Sequence, residues 1–310
     1  MVITARLPPA PGDAAFSITR LDTSDLHAAP RLDEALKTVP GVSLFRRTSS
    51  AAANPTTQGV SLRSIGPSGA GRALVTLDGV PQNDPFGGWV IWTSLPADSL
   101  EGVTVVRGAG AGPYGAGALT GVVALDELAR PGAMVAEASV AQRDGERGAV
   151  ALDQPLGGGD LLLSAAGEHS DGWIPVRQGR GAADAPLGLD DWSLAARFQA
   201  PLGRAVLAAR VAAYREDRDA GLVGAGSIAR GESASLTLTA QPSPDQLGWR
   251  LQAWVHDSDL ANRSVSVAPG RTGTTPANDQ YATPALGWGL NAAVRGQADA
   301  SVWEVGADVR

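Results

Sequence analysis

The sequence predicts an α+β domain up to about residue 130, followed by antiparallel strands of a transmembrane β-barrel, an incomplete one with about nine strands of a larger total. Before residue 130, short β-like runs mix with one helical pattern and long glycine-rich links. After residue 132, apolar and polar residues alternate strictly along each run. The connections in the second half also alternate, short turn against long polar loop, as in a barrel with turns at one rim and loops at the other.

In the first half, RLDEALKTVPGV (31–42) sets Leu32, Ala35, Leu36 and Val39 on one helical face, and Pro40-Gly41 stops it. Candidate strands are VSLF (42–45), VSLR (60–63), ALVTL (73–77), VTVV (103–106) and GVVAL (121–125). In the second half, Trp192, Leu194, Ala196, Phe198 and Ala200 share one face of a strand; Ser193, Arg197 and Gln199 share the other. The same alternation runs through 234–241, 247–256 and 303–310. Tight turns are expected at 155–159, 201–203, 242–246 and 295–299, and long loops at 169–190, 215–232 and 257–282. The first domain lacks an export signal, and the alternation runs on to residue 310, so the chain reads as a fragment.

Composition excludes several functions. With no cysteine there is no disulfide scaffold, thiolate metal site or Cys nucleophile. A net charge of −7 argues against a nucleic-acid partner. No apolar run is long enough for a transmembrane helix. His27, His169 and His256 lie far apart in solvated contexts, and Asp217 and Asp219 read as an exposed acidic loop. No catalytic group, metal site or cofactor is expected. Gly110, Gly112 and Gly115 match GxGxxG, but too few residues follow before the next strand for the helix that a dinucleotide site requires.

VTVVRGAGAGPYGAGALTGVV (103–123) resembles the plug signature of TonB-dependent outer-membrane receptors. The helix LDEALKTVPGV and the stretch VSLRSIGPSGAGRALVTLDGVPQND resemble the same plug in order and spacing. The resemblance implies a linker with a TonB-contacting segment over 1–12, a plug over 13–130 and the N-terminal part of the barrel over 131–310. It implies residence in the outer membrane of a Gram-negative bacterium. The function it implies is gated uptake of a scarce nutrient, an iron-siderophore or similar chelate. The partners would be TonB with its inner-membrane energising complex, the small ligand and outer-membrane lipid. A non-transporting envelope β-protein, structural or adhesive, and an inactive receptor fragment are the alternatives.

Carried over residue by residue, Val2, Ile3, Thr4 and Ala5 are similar to the end of the TonB box, which binds by adding a strand to its partner. A frayed terminus is the plain alternative. Arg63 and Arg107 fall at the two plug arginines that in the family meet glutamates of the barrel wall; solvation at a sheet edge is the alternative. Arg63-Ser64 stands where Arg-Gly is usual. The plug topology raises residues 82–94 to the external apex. Gln82, Asn83 and Asp84 there offer polar contacts, and Phe86, Trp89 and Trp92 offer flat apolar ones, to ligand or to the inner wall.

Overall fold

The structure is a computed structural model, and it describes residues 16–44, 46, 48–63, 72–108, 114–243, 245–298 and 301–310. Val2, Ile3, Thr4 and Ala5 lie outside the described residues, as do Gly110, Gly112 and most of 64–72.

The first domain is built on a five-stranded sheet. In chain order its strands are β1 (Ser17–Asp22), β4 (Ala73–Leu77), β5 (Val80–Pro81), β6 (Leu100–Arg107) and β7 (Gly121–Glu127), arranged β1-β6-β7-β4-β5. β4 and β7 run parallel and the other pairs antiparallel. β2 (Val42–Ser43) and β3 (Ser61–Leu62) form a separate two-residue ladder, much shorter than the runs 42–45 and 60–63 expected of them. Every residue of β4 is buried, as in a strand covered on both faces.

Two short helices cover this sheet. α1 (Thr23–His27) was not foreseen, although Asp22 and Asp25 form a capping box: Asp22 accepts from the Ser24 and Asp25 amides, and Asp25 from the Asp22 amide. α2 (Leu32–Leu36) is shorter than the pattern 31–42 suggests, and tight turns finish that span. Leu26, Leu32 and Leu36 pack with Val75, Val103, Val105, Val123, Leu125 and Trp92 in the main core. Each such aliphatic side chain contributes about 1.5–3 kcal/mol when fully buried.

The second part is one curved antiparallel wall. Its strands are β8 (Met134–Ala141), β9 (Gly145–Leu156), β10 (Gly159–Ser170), β11 (Leu189–Leu202), β12 (Ala205–Asp219), β13 (Gly226–Ala240), β14 (Gly248–Val267), β16 (Ala285–Ala298) and β17 (Ser301–Val309). β15 (Thr274–Gln280) pairs with the far end of β14. The sheet is open at β8 and β17. Short turns sit at one rim as expected. At the other rim, much of the expected loops 215–232 and 257–282 is strand: β12 runs to Asp219, β13 starts at Gly226, and β14 is 20 residues long. Their polar residues alternate with the ladder intact, because both faces are wet there.

The outer face carries an apolar band. Trp192, Leu194, Ala196, Phe198 and Ala200 of β11 stand beside Leu207, Ala209, Val211 and Ala213 of β12. That stretch matches the roughly 9–11 residues a tilted strand needs to cross a hydrocarbon layer. Trp192 and Trp288 mark the band's loop-side margin, and Trp249 and Trp303 its turn-side margin, as interfacial aromatics do. Outward charges begin one step above it, at Asp190, Arg215, Glu232 and Asp257. Among the described residues no helix is long and apolar enough to cross a membrane, which does not bear on strands.

Candidate functional site: the plug apex and its latch to the wall

The inner face of the wall holds the first domain by buried polar contacts. The Asp78-Gly79 turn joins β4 to β5 with φ of 48° and 89°, the left-handed pair a two-residue hairpin turn requires. That geometry points the Asp78 carboxylate at the wall. Arg197 of β11 donates from Nη1 to Asp78 Oδ2 at 3.0 Å and to Glu127 Oε2 at 3.3 Å, and from Nη2 to the Leu128 carbonyl at 2.6 Å. Arg210 of β12 donates to Glu127 Oε1 at 2.9 Å. Gln252 of β14 donates to the Asp78 carbonyl at 3.1 Å. The Glu127 side chain is 1% exposed and that of Arg197 4%, so the cluster is desolvated and each charge depends on its partners.

Three further contacts surround it. Arg147 of β9 meets Asp98 at 2.6 Å. Burial is the largest single influence and opposes the Asp98 charge. The hydrogen bonds from Arg147 and Glu137, together with the Arg147 charge, outweigh it and hold the carboxyl below its ordinary 3.8. Arg31, just before α2, pairs with Glu168 of β10. Glu216 of β12 binds Arg218 and accepts from Thr93 at 2.7 Å, while Arg218 donates to the Ser50 carbonyl.

Arg63 and Arg107, the expected latch residues, make their observed contacts within the first domain. Arg107 donates to the Pro40 carbonyl, Ser17 Oγ and Thr19 Oγ1, all within the first domain. Arg63 donates to the Arg107 carbonyl at 3.4 Å and is otherwise exposed. Neither meets a wall carboxylate among the described residues. At Asp78, Glu127 and Asp98 the polarity is wall arginine on plug carboxylate, whereas Arg31 on Glu168 runs the other way. The sequence signal of this latch was Asp126-Glu127 closing an otherwise apolar strand.

At the apex the six expected contact residues separate into two groups. Trp92 is buried in the plug core and donates from Nε1 to the Gln58 carbonyl at 3.0 Å. Trp89 and Ile91 pack on Tyr214, Ala229 and Leu260 of the wall. Trp89 and Trp92 therefore do not offer the open aromatic surface expected of them; burial on wall and core uses their faces. Asn83 is spent on backbone, donating to the Ala73 and Gly88 carbonyls and accepting from the Val75 amide. Asp84 accepts from the Phe86 and Gly87 amides at 2.9 Å and from Ser258 of β14 at 2.8 Å, fixing the turn and docking it. Phe86 remains 64% exposed, with its ring tilted 58° over Trp89 at 6.2 Å. Gln82 lines a small crevice between plug and wall with Arg210, Tyr214 and His256. His256 is thus half-buried there rather than solvated, on β14, within the alternating run expected over 247–256. His27 and His169 are exposed.

Outside the wall the connections are tied together. Arg271 donates from Nε to both Asp184 oxygens at 2.9 Å. The Ala183 amide bonds the Arg271 carbonyl at 3.1 Å, and the Val223 amide bonds the Ala183 carbonyl at 3.0 Å. Links 171–188, 220–225 and 268–273 therefore share one set of bonds. The signature glycines have a local role too. Gly115 has φ of +78°, and a Cβ there would collide with the Asp308 carboxylate of β17, which accepts from the Ala116 amide at 2.9 Å.

Residues 11–122 match the family model for the TonB-dependent receptor plug domain. A search against curated protein sequences returns no match. Among solved structures, the siderophore receptor PirA from Acinetobacter baumannii matches at a TM-score of 0.68 and 14% identity, over 90% of this chain and 45% of that one. The ferric enterobactin receptor PfeA of Pseudomonas aeruginosa, as a mutant, matches at 0.66 and 18%, over 92% and 46%. A double mutant of the hemophore receptor HasR from Serratia marcescens, in complex with its hemophore HasA and heme, matches at 0.69 and 16%, over 95% and 46%. The chain thus spans less than half the length of these structures, and at such identity the likeness speaks for the fold. Plug signature and sheet order agree: residues 11–122 form a TonB-dependent receptor plug domain, and the strands that follow share the fold of the first part of these receptors' barrels.

Proposed function

We propose that this chain is the plug and leading barrel segment of an outer-membrane receptor that takes up a scarce nutrient, a metal chelate of the siderophore kind, by TonB-driven displacement of the plug. The observation that carries the reading is the latch. A plug held to its wall by the buried Glu127 and Arg197 and the partly buried Asp78 and Arg210 stays in place on its own, and it can be freed by work that separates those charges. Phe86 and Gln82 are the proposed ligand-facing groups of the apex; Trp89, Trp92, Asn83 and Asp84 are their scaffold. The matched receptors are named for siderophore, ferric enterobactin and heme with its hemophore, which supports a chelate as cargo here. Val2, Ile3, Thr4 and Ala5 are the proposed contact for TonB. No covalent step is asked of the chain.

The test is uptake of labelled ferric chelates by a Gram-negative host expressing the full-length receptor. Deleting residues 2–5 is expected to abolish uptake while surface binding persists. Unchanged uptake after the deletion would refute the TonB contact, and absence of any energised uptake would refute transport.

A further inference from the structure

The latch leaves two carboxylates unused directly beside it. Asp153 of β9 is 0% exposed and Asp160 of β10 5% exposed. Among the described residues both Asp153 side-chain oxygens and Oδ2 of Asp160 have no hydrogen-bond partner. Both side chains face inward. Asp153 opposes Leu162, and Leu162 opposes Arg197, so the aspartate and the latch arginine share one row across three strands. Asp160 opposes Gln199, the next inward residue after Arg197. At about 4.8 Å between strands and about 3.3 Å per residue, the Arg197 Cα lies about 10 Å from that of Asp153 and about 8 Å from that of Asp160. An extended arginine and an aspartate can bridge such distances. Arg197 Nε, too, has no partner among the described residues.

The charges facing this point can be counted by element. The wall supplies Asp153, Asp160, Arg197 and Arg210, and the plug supplies Asp78 and Glu127. Glu101 of β6 is paired with Arg130, and Arg250 of β14 donates to Asn291. With the plug seated, both wall arginines serve plug carboxylates. Neither wall aspartate is paired with an arginine among the described residues, the Arg130 backbone being the main attraction that Asp153 has besides the charge of Arg197. As the plug parts from the wall, the arginines lose their partners before water can replace them, and a desolvated cation without a partner is strongly unfavourable. The two aspartates equal them in number and are opposite in sign. A metal ion suits the place poorly: three free oxygens fall short of the six to eight that calcium takes, and among the described residues no three metal-binding side chains gather.

We propose that Asp153 and Asp160 are a second seat for the Arg197 guanidinium, which receives it when Asp78 and Glu127 leave with the plug. The proposal rests on the gating reading above. The second seat lowers the barrier to release rather than stabilising the closed state, so the aspartates act on a rate.

The test uses the purified full-length receptor with a nitroxide on Lys37→Cys, reporting plug release in urea without TonB. For D153N/D160N, the release rate is expected to fall at least fivefold while the urea midpoint holds or rises. R197Q is expected to lower the midpoint, and adding R197Q to D153N/D160N to restore fast release, since no cation then needs a seat. An unchanged release rate in D153N/D160N overturns the proposal. So does a midpoint that falls as it does in R197Q, which would place the aspartates in the closed state. Chelator treatment that makes wild type release as slowly as D153N/D160N would assign the seat to a metal and overturn it too. Because release is read without TonB, failure of transport in cells leaves this result interpretable on its own.

Discussion

Glu127→Gln is the sharpest perturbation of the latch. The Glu127 carboxylate, 1% exposed, accepts from Arg197 at 3.3 Å and from Arg210 at 2.9 Å. The amide keeps the shape and removes the charge, leaving Arg197 bonded to the Asp78 carboxylate and Arg210 without a bonded carboxylate among the described residues. Breaking a buried pair from one side costs about 3–5 kcal/mol. At about 1.4 kcal/mol per factor of ten, that shifts plug docking by roughly a hundredfold to a few thousandfold. The assay is the urea midpoint for plug release in the full-length receptor, with barrel unfolding followed separately. A double-mutant cycle with Arg210→Met should return a coupling energy of about 1 kcal/mol or more, as groups in one network do. A loss below about 1 kcal/mol for Glu127→Gln, with no coupling to Arg210, would refute a desolvated latch.

The apex should divide along burial: Trp92→Ala is expected to cost about 3–5 kcal/mol of stability. Phe86→Ala should change stability by under about 0.5 kcal/mol while weakening chelate binding, as titration of the full-length receptor would record. Gly115→Ala forces a left-handed alanine, at about 1–2 kcal/mol, against the Asp308 carboxylate, and should lower the melting temperature by separating the loop at Tyr114–Gly117 from β17. The Asp184 carboxyl is held below its ordinary 3.8 by the Arg271 hydrogen bond first, then by the Gly181 amide. A depressed carboxyl stabilises above its unfolded value and loses that contribution as pH falls through the folded one. Amide protection at Ala183 should therefore persist at pH 5 and fail only in acid below 3.8.

Alternation made the wall legible, since one period-two pattern fixes both the strand and its faces. It showed Arg197 and Gln199 opposite Phe198 in β11, but a polar inner face reads the same whether it meets water or a plug. The latch was hidden for that reason: its partners, Asp78 and Arg197, are 119 residues apart. Asp78-Gly79 was legible as a turn, and the turn is what aims the carboxylate. Trp89 and Trp92 were legible as unusual in a broken segment; which way they faced depended on Tyr214 and Gln58, and nothing local encodes that. The extra height of β12–β15 was missed because polar residues on both faces of a strand look like a loop.

That height has a consequence for resistance to proteases. A protease cuts a segment that it can draw out unpaired, and opening a ladder costs more than opening an unpaired link. Carrying the hydrogen-bonded sheet well past the apolar band leaves little such substrate on the exposed rim. Residues 177–180, exposed throughout and containing Arg177 and Arg180, are a tryptic site there. Because the neighbouring links are tied through Arg271, a chain nicked at that point keeps its ends in place, and the rim outlasts its own damage.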